Sequence, residues 1–180
     1  MNQHWDPLEL LRHSRHDWLN DIQLIKANLS LNRLDRVHEI IEEITSRSQN
    51  ESKLTNLHIP KVAVLLLTSN WETHPYRLQV EVAGDERNLS AVQQDLFHGL
   101  VSFFQLLDDG VDPMFENHVL ITFKLMDDDV RLTIDFAGYL KDPEAFRNNL
   151  DLHKRFVPIE QYVSKEEFVL TVRILQDGPR

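Results

Sequence analysis

A chain of 180 residues with 42% hydrophobic content can bury one core or two small ones, and its formal net charge of -10 argues against a surface built to coat nucleic-acid phosphates or an anionic membrane. It holds no cysteine, which excludes disulfides, thiolate zinc sites and cysteine nucleophiles together and fits a reducing compartment. There is no apolar run of the roughly 18 residues a membrane span requires and no charged-then-apolar leader, so the chain reads as cytoplasmic, with proteins or small molecules as partners.

The first predicted element is a helix. Leu8, Leu11, Trp18, Ile22, Ile25 and Leu29 alternate three and four residues apart if Arg15 is counted as a member of the seam. A narrow stripe of this kind belongs to a helix that packs along other helices, as in a coiled coil or a four-helix bundle. Asn32 and Arg33 interrupt the pattern, which resumes at Leu34, Val37, Ile41 and Ile44 and fades in the polar stretch Ser46 to Lys53. The short connection predicts an antiparallel hairpin. Two such helices alone make a thin core, so the expectation is a homodimer whose two hairpins form a four-helix bundle.

After Pro60, which can open a helix, the pattern changes character. The apolar run Val62 to Leu67 predicts a helix that ends before His74-Pro75, and the alternation of Leu78, Val80 and Val82 predicts a strand closed by Gly84-Asp85. Ser90 is expected to cap a long helix carrying Val92, Leu96, Leu100, Phe103, Phe104 and Leu107. Val119 to Leu125 and Val130 to Phe136 alternate as two strands, with Asp127-Asp128-Asp129 as a solvated hairpin turn. A short helix follows Asp142-Pro143, a weaker strand runs around Phe156 to Val163, and Phe168, Leu170, Val172 and Ile174 form the last strand. The fold class is therefore α+β: a hairpin over 1–55, then an α/β sandwich domain over 56–180 with helices on one face of an antiparallel or mixed sheet.

The chemistry-bearing residues cluster in Leu11-Arg12-His13-Ser14-Arg15-His16-Asp17-Trp18-Leu19-Asn20. His16 falls off the apolar seam and shares a helical face with Asn20 one turn later. A neutral imidazole attacks phosphorus well, and a neighbouring carboxylate holds its tautomer or balances the charge that develops, so His16 and Asp17 form a candidate nucleophile and its orienting partner. On spacing alone, the same residues describe a solvated helix face that happens to contain a histidine. His13 and His16 at i, i+3 are two ligands and do not make a metal site, and Asp127-Asp128-Asp129 lacks the longer loop and terminal glutamate of a calcium site.

The stretch from Leu10 to Ile44, and above all His13-Ser14-Arg15-His16-Asp17-Trp18-Leu19-Asn20 with Gln23-Leu24-Ile25-Lys26 and Asn28-Leu29-Ser30-Leu31, resembles the sporulation initiation phosphotransferase B family. His16, Asp17 and Asn20 also match the H-[DE]-x-x-N pattern of histidine-kinase dimerisation and phosphoacceptor domains. Glu51-Ser52-Lys53-Leu54 with Asn56-Leu57, and Asn70-Trp71 with Thr73-His74, extend the likeness past the hairpin. The resemblance implies a phosphorelay phosphotransferase: His16 takes a phosphoryl group from the aspartyl phosphate of one response regulator and passes it to the aspartate of a second. It implies a homodimer that binds no cofactor of its own, with Mg2+ supplied by the regulator. Arg12, His13, Arg15, Asn20 and Gln23 would then line the regulator-binding face, with Arg15 as a seam residue that covers apolar surface or reaches phosphate.

In the same resemblance the second domain is a histidine-kinase ATPase domain that has lost its motifs. Leu96-Phe97-His98-Gly99-Leu100-Val101-Ser102-Phe103-Phe104-Gln105 has no asparagine for a metal, Asp135-Phe136-Ala137-Gly138-Tyr139 lacks both required glycines, and Gly84, Gly99, Gly110, Gly138 and Gly178 are never two apart. Loops that cradle phosphates need glycine for close backbone approach. An ATP-dependent sensor histidine kinase and a non-catalytic dimer that sequesters a regulator stand as the alternatives.

Overall fold

The computed structural model describes residues 6–127, 129–150, 152 and 154–176, so Asp128 and Gly178 lie outside the described residues. Two compact units divide between Asn50 and Glu51. Helix α2 runs across that division.

In the first unit, α1 spans Pro7–Ser30. It opens on Asp6, whose side chain accepts a hydrogen bond from the Leu8 N–H at 3.0 Å, with Pro7 at the first helical position where its missing N–H costs nothing. It ends in a tight C-terminal turn in which Arg33 N–H bonds the Asn28 carbonyl and Asn32 N–H bonds that of Leu29. Asn32 takes φ 54, a left-handed conformation that asparagine tolerates. Helix α2, Leu34–Thr55, follows at once and stays helical through the polar stretch where the apolar pattern fades. Asn28, Val37 and Ile40 are the buried residues of the first unit among those described. Leu8, Leu11, Trp18, Ile22 and Leu29 of the predicted seam, with Leu34 and Ile41, are each about half exposed or more in the single chain.

The second unit carries a five-stranded sheet in the order β1-β2-β3-β5-β4. Its strands are β1 Arg77–Ala83, β2 His118–Met126, β3 Asp129–Ala137, β4 Phe156–Val163 and β5 Glu167–Ile174. The sheet is mixed: β1 runs parallel to β2, and every other pairing is antiparallel. Parallel neighbours need a crossover, which here contains α4, Gln93–Gly110. Helices α3, Pro60–Thr68, and α5, Pro143–Asn149, complete the unit. Period-2 alternation sends Val119, Ile121 and Phe123 of β2, Leu132, Ile134 and Phe136 of β3, and Phe168, Leu170 and Val172 of β5 into one core. Leu96, Leu100, Phe103, Phe104 and Leu107 of α4 belong to the same core. The residues between them form a second face that is mostly polar and only partly covered, with Thr122 opposite Thr133 and Thr133 opposite Thr171.

Two local expectations are corrected. Ser90 does not cap α4: it opens a 3₁₀ turn, Ser90–Val92, and the side-chain acceptor there is Asn88 Oδ1, 2.9 Å from the Ser90 N–H. Asp129 is not a solvated turn residue but the first residue of β3, paired with Met126. Its carboxylate lies 2.6 Å from Arg131 Nε and 3.0 Å from Arg173 Nε. Burial works against ionisation of that carboxyl, but the Arg131 hydrogen bond and the Arg173 charge outweigh it and hold Asp129 below its ordinary pKa.

Candidate functional site

His16 sits in the middle of α1, with a side chain 71% exposed. Its Nδ1 faces Asn20 Nδ2 at 3.1 Å, a contact set by the one-turn spacing along the helix. Asp17 Oδ1 lies 3.6 Å from the same nitrogen, beyond hydrogen-bond reach. His16, Asp17 and Asn20 therefore form one exposed constellation around Nδ1.

The other predicted residues lie on the same helix. Arg12, Arg15 and Gln23 are exposed and His13 is half-buried. Arg15 is exposed in the single chain although it occupies a seam position. No group of three or more histidine, aspartate or glutamate side chains that could hold a metal occurs among the described residues. Sequence reasoning did not find the ion pair between Arg47 of α2 and Asp21 of α1. It ties the two helices together about a turn from His16, and because its members are 26 residues apart, no local pattern announces it.

The residues that carry the likeness beyond the hairpin serve the fold. Asn70 pairs with Leu78 as a neighbouring strand would, its amide donating to the Leu78 carbonyl at 2.7 Å and accepting from the Leu78 N–H at 2.9 Å. The side chain of His74 is buried and bonded through Nδ1 to Asp108 at 2.7 Å, with its ring stacked on Tyr76. Burial, helped by the Asp108 charge, pushes the Tyr76 hydroxyl far above the ordinary tyrosine range. Leu54 and Leu57 belong to the core of the second unit. Gly138, in the stretch Asp135 to Tyr139, makes room for protein rather than phosphate: a Cβ there would stand 2.2 Å from Asn117 Oδ1, which accepts the Tyr139 N–H.

The class follows from the hairpin, since residues 1–57 match the family model of the sensor kinase SpoOB-type alpha-helical domain. Residues 58–175 match the model of the C-terminal domain of sporulation initiation phosphotransferase B. Sporulation initiation phosphotransferase B of Bacillus subtilis (strain 168) is 45% identical over 141 residues, covering 77% of this chain and 73% of the relative. The chain belongs to the sporulation initiation phosphotransferase B family.

Two solved kinases align at low similarity. The Acinetobacter baumannii histidine kinase AdeS matches with a TM-score of 0.43 and 11% identity, over 91% of this chain and 98% of its own. Histidine kinase ThkA, solved in complex with the response regulator protein TrrA, matches with a TM-score of 0.45 and 14% identity, over 94% of this chain and 61% of its own.

Proposed function

We propose that this chain is a phosphorelay phosphotransferase in which His16 accepts a phosphoryl group from the aspartyl phosphate of one response regulator and passes it to the aspartate of a second, in control of sporulation. The observation that carries this reading is His16 itself: an exposed imidazole with a carboxylate and an amide gathered at one ring nitrogen, in a chain of this family. Phosphoryl transfer depends mainly on in-line positioning and charge neutralisation, so an open helical face that docks a regulator suffices, with Mg2+ brought by the regulator. Asp17 balances the positive charge that develops on the ring. Arg12 and Arg15 stand out as cations in a chain of net charge -10, and they would steer an acidic regulator surface toward this face together with His13, Asn20 and Gln23.

The open seam supports a homodimer. Covering the exposed half of Leu8, Leu11, Trp18, Ile22 and Leu29 against a second copy would stabilise the assembly by about 1 kcal/mol for each side chain, so a four-helix bundle is the state in which this hairpin works. No helix among the described residues is long and apolar enough to cross a membrane, and a cytoplasmic location suits a relay between regulators. The second domain contributes structure or contacts rather than nucleotide chemistry.

The test is transfer from a pre-phosphorylated response regulator, followed as acid-labile, base-stable label on the chain. Wild type is expected to take label and His16→Gln to lose it entirely. Label that persists in His16→Gln, or label that arrives directly from ATP, overturns the assignment.

A further inference from the structure

Residues 111–117, between α4 and β2, hold two neighbouring apolar side chains outside the core: Met114 is 86% exposed and Phe115 50%. The turn that carries them is fixed from beneath by Asn117, which is buried. Asn117 Nδ2 lies 2.9 Å from the carbonyl oxygens of Pro75, Asp112 and Phe115, and Oδ1 accepts the Tyr139 N–H at 2.8 Å. The Met114 N–H donates to Asp112 Oδ1 at 3.0 Å, and the Phe115 N–H to the Asp112 carbonyl at 3.3 Å. A tip ordered in this way has little conformational freedom left to lose when something binds it.

Phe115 is also the outer member of a stack. Its ring lies within 10° of parallel to that of Tyr139, with centroids 4.2 Å apart, and the Lys165 ammonium stands 4.9 Å from the centre of the Tyr139 ring. Among the described residues no other ring or cation lies over Phe115, so its remaining surface and the Met114 thioether beside it meet solvent. The exposed charge around this tip is mostly negative. Asp112 and Glu116 flank the two apolar residues, with the Glu116 side chain 87% exposed and its carboxylate 3.2 Å from His118 Nε2. Glu166 follows Lys165 in the turn whose backbone bonds Gly138 and Leu140, on either side of Tyr139.

We propose that Met114 and Phe115 form a docking tip for an arginine side chain of a basic protein partner. Three properties of arginine match what the tip offers: a planar cation that stacks on an aromatic face, N–H groups that suit carboxylates, and an apolar stem. The guanidinium lies on the open side of Phe115, the stem runs along Met114, and Glu116 and Asp112 accept its N–H groups. Lysine brings the charge without the plane, and a neutral urea group brings the plane without the charge. This partner is opposite in sign to the acidic regulator surface that Arg12 and Arg15 would steer, so the tip is a second interaction surface that does not depend on the reading of His16.

The experiment uses the full chain labelled with carbon-13 at its methionine methyl groups. The chain has three methionines, and the Met114 signal is assigned by its loss in Met114→Leu. The probe is the peptide acetyl-Gly-Arg-Gly-amide, with the same peptide carrying lysine or citrulline in place of arginine as controls. The arginine peptide is expected to shift the Met114 methyl saturably, with a dissociation constant on the order of 1–10 mM, as suits one anchored side chain. Both control peptides, and the arginine peptide on Phe115→Leu, are expected to bind about two- to fivefold more weakly, the range of an exposed cation–aromatic contact. Glu116→Gln, at a side chain that supports no core, is expected to weaken binding by about twofold and to flatten its dependence on salt. Tyr162→Leu, an exposed aromatic on β4, is expected to change nothing, and the Met126 methyl in β2 is expected to stay in place throughout as a report that the fold is intact.

A Met114 methyl that does not move with the arginine peptide overturns the proposal. So does equal binding of the lysine or citrulline peptide, or undiminished binding to Phe115→Leu or Glu116→Gln with Met126 unmoved.

Discussion

The two units solve the same problem of hiding apolar side chains in opposite ways. The second unit closes on itself: Phe104, Phe123, Phe136 and Phe168 have almost no exposed surface, and α4 covers the inner face of the sheet. The first unit does not close. Among its described residues only Asn28, Val37 and Ile40 are buried, and one of those three is polar, with its amide bonded to the Leu24 carbonyl. A helix pair has too little volume to surround its own stripe, whereas a sheet with a long helix across it has enough. The difference teaches that apolar patterning in this chain has two meanings, a finished core in one unit and an open surface in the other.

Substitutions in the two units should therefore behave differently. The largest expected effect is Phe104→Ala, which removes a fully buried ring and leaves a cavity, costing about 3–5 kcal/mol. Urea denaturation should show the loss at every protein concentration. A loss that vanished at high concentration would mean that the second unit is also completed by a partner.

Next is Ile22→Asp, which puts a charge on the open seam, where Ile22 is 53% exposed in the single chain. In sedimentation equilibrium it should weaken the dimer by about a hundredfold, because each of the two copies loses burial worth about 1 kcal/mol for its half-exposed side chain and gains an unpaired charge, while the second unit's melting stays in place. Unchanged association would remove the seam from the interface.

The smallest effect is Asp129→Asn. Because the folded pKa of Asp129 lies below its unfolded value, its contribution is present above about pH 4 and is lost as pH falls through the lower folded value. The variant should be less stable than wild type at neutral pH and approach it in acid. A stability difference that stayed constant down to pH 2 would show that the charge of Asp129 is not what Arg131 and Arg173 require.

Much of the second unit was legible because strands β2, β3 and β5 alternate strictly and α4 carries a wide stripe. Strand β4 read more weakly for a physical reason: it lies at the sheet edge, contains Pro158, and its pairing slips between Pro158 and Glu160, which breaks the alternation. Ser90 misled because serine suits a cap, and nothing local reveals that Asn88 turns the backbone first. Asp129 misled because its partner Arg173 comes from β5, far along the chain.

At the candidate site, spacing brought His16, Asp17 and Asn20 to one region of a helix. It could not say that two side chains meet at the same ring nitrogen, since that depends on rotamers and on which end of an amide turns inward. Nor does an apolar stripe state whether its own chain will cover it, as Leu8, Leu11 and Trp18 make plain.

The turn at Leu31 to Arg33 constrains length more than composition. Its residues are already committed to ending one helix and starting the next, so the hairpin keeps no slack. Adding a single residue would rotate α2 by about 100° about its axis, carrying Val37 and Ile40 out of their buried positions and turning the Arg47 side of the helix away from Asp21. The three-residue turn thus acts as a clock setting between the helices: it tolerates exchange of side chains that accept a left-handed backbone at position 32, but not insertion.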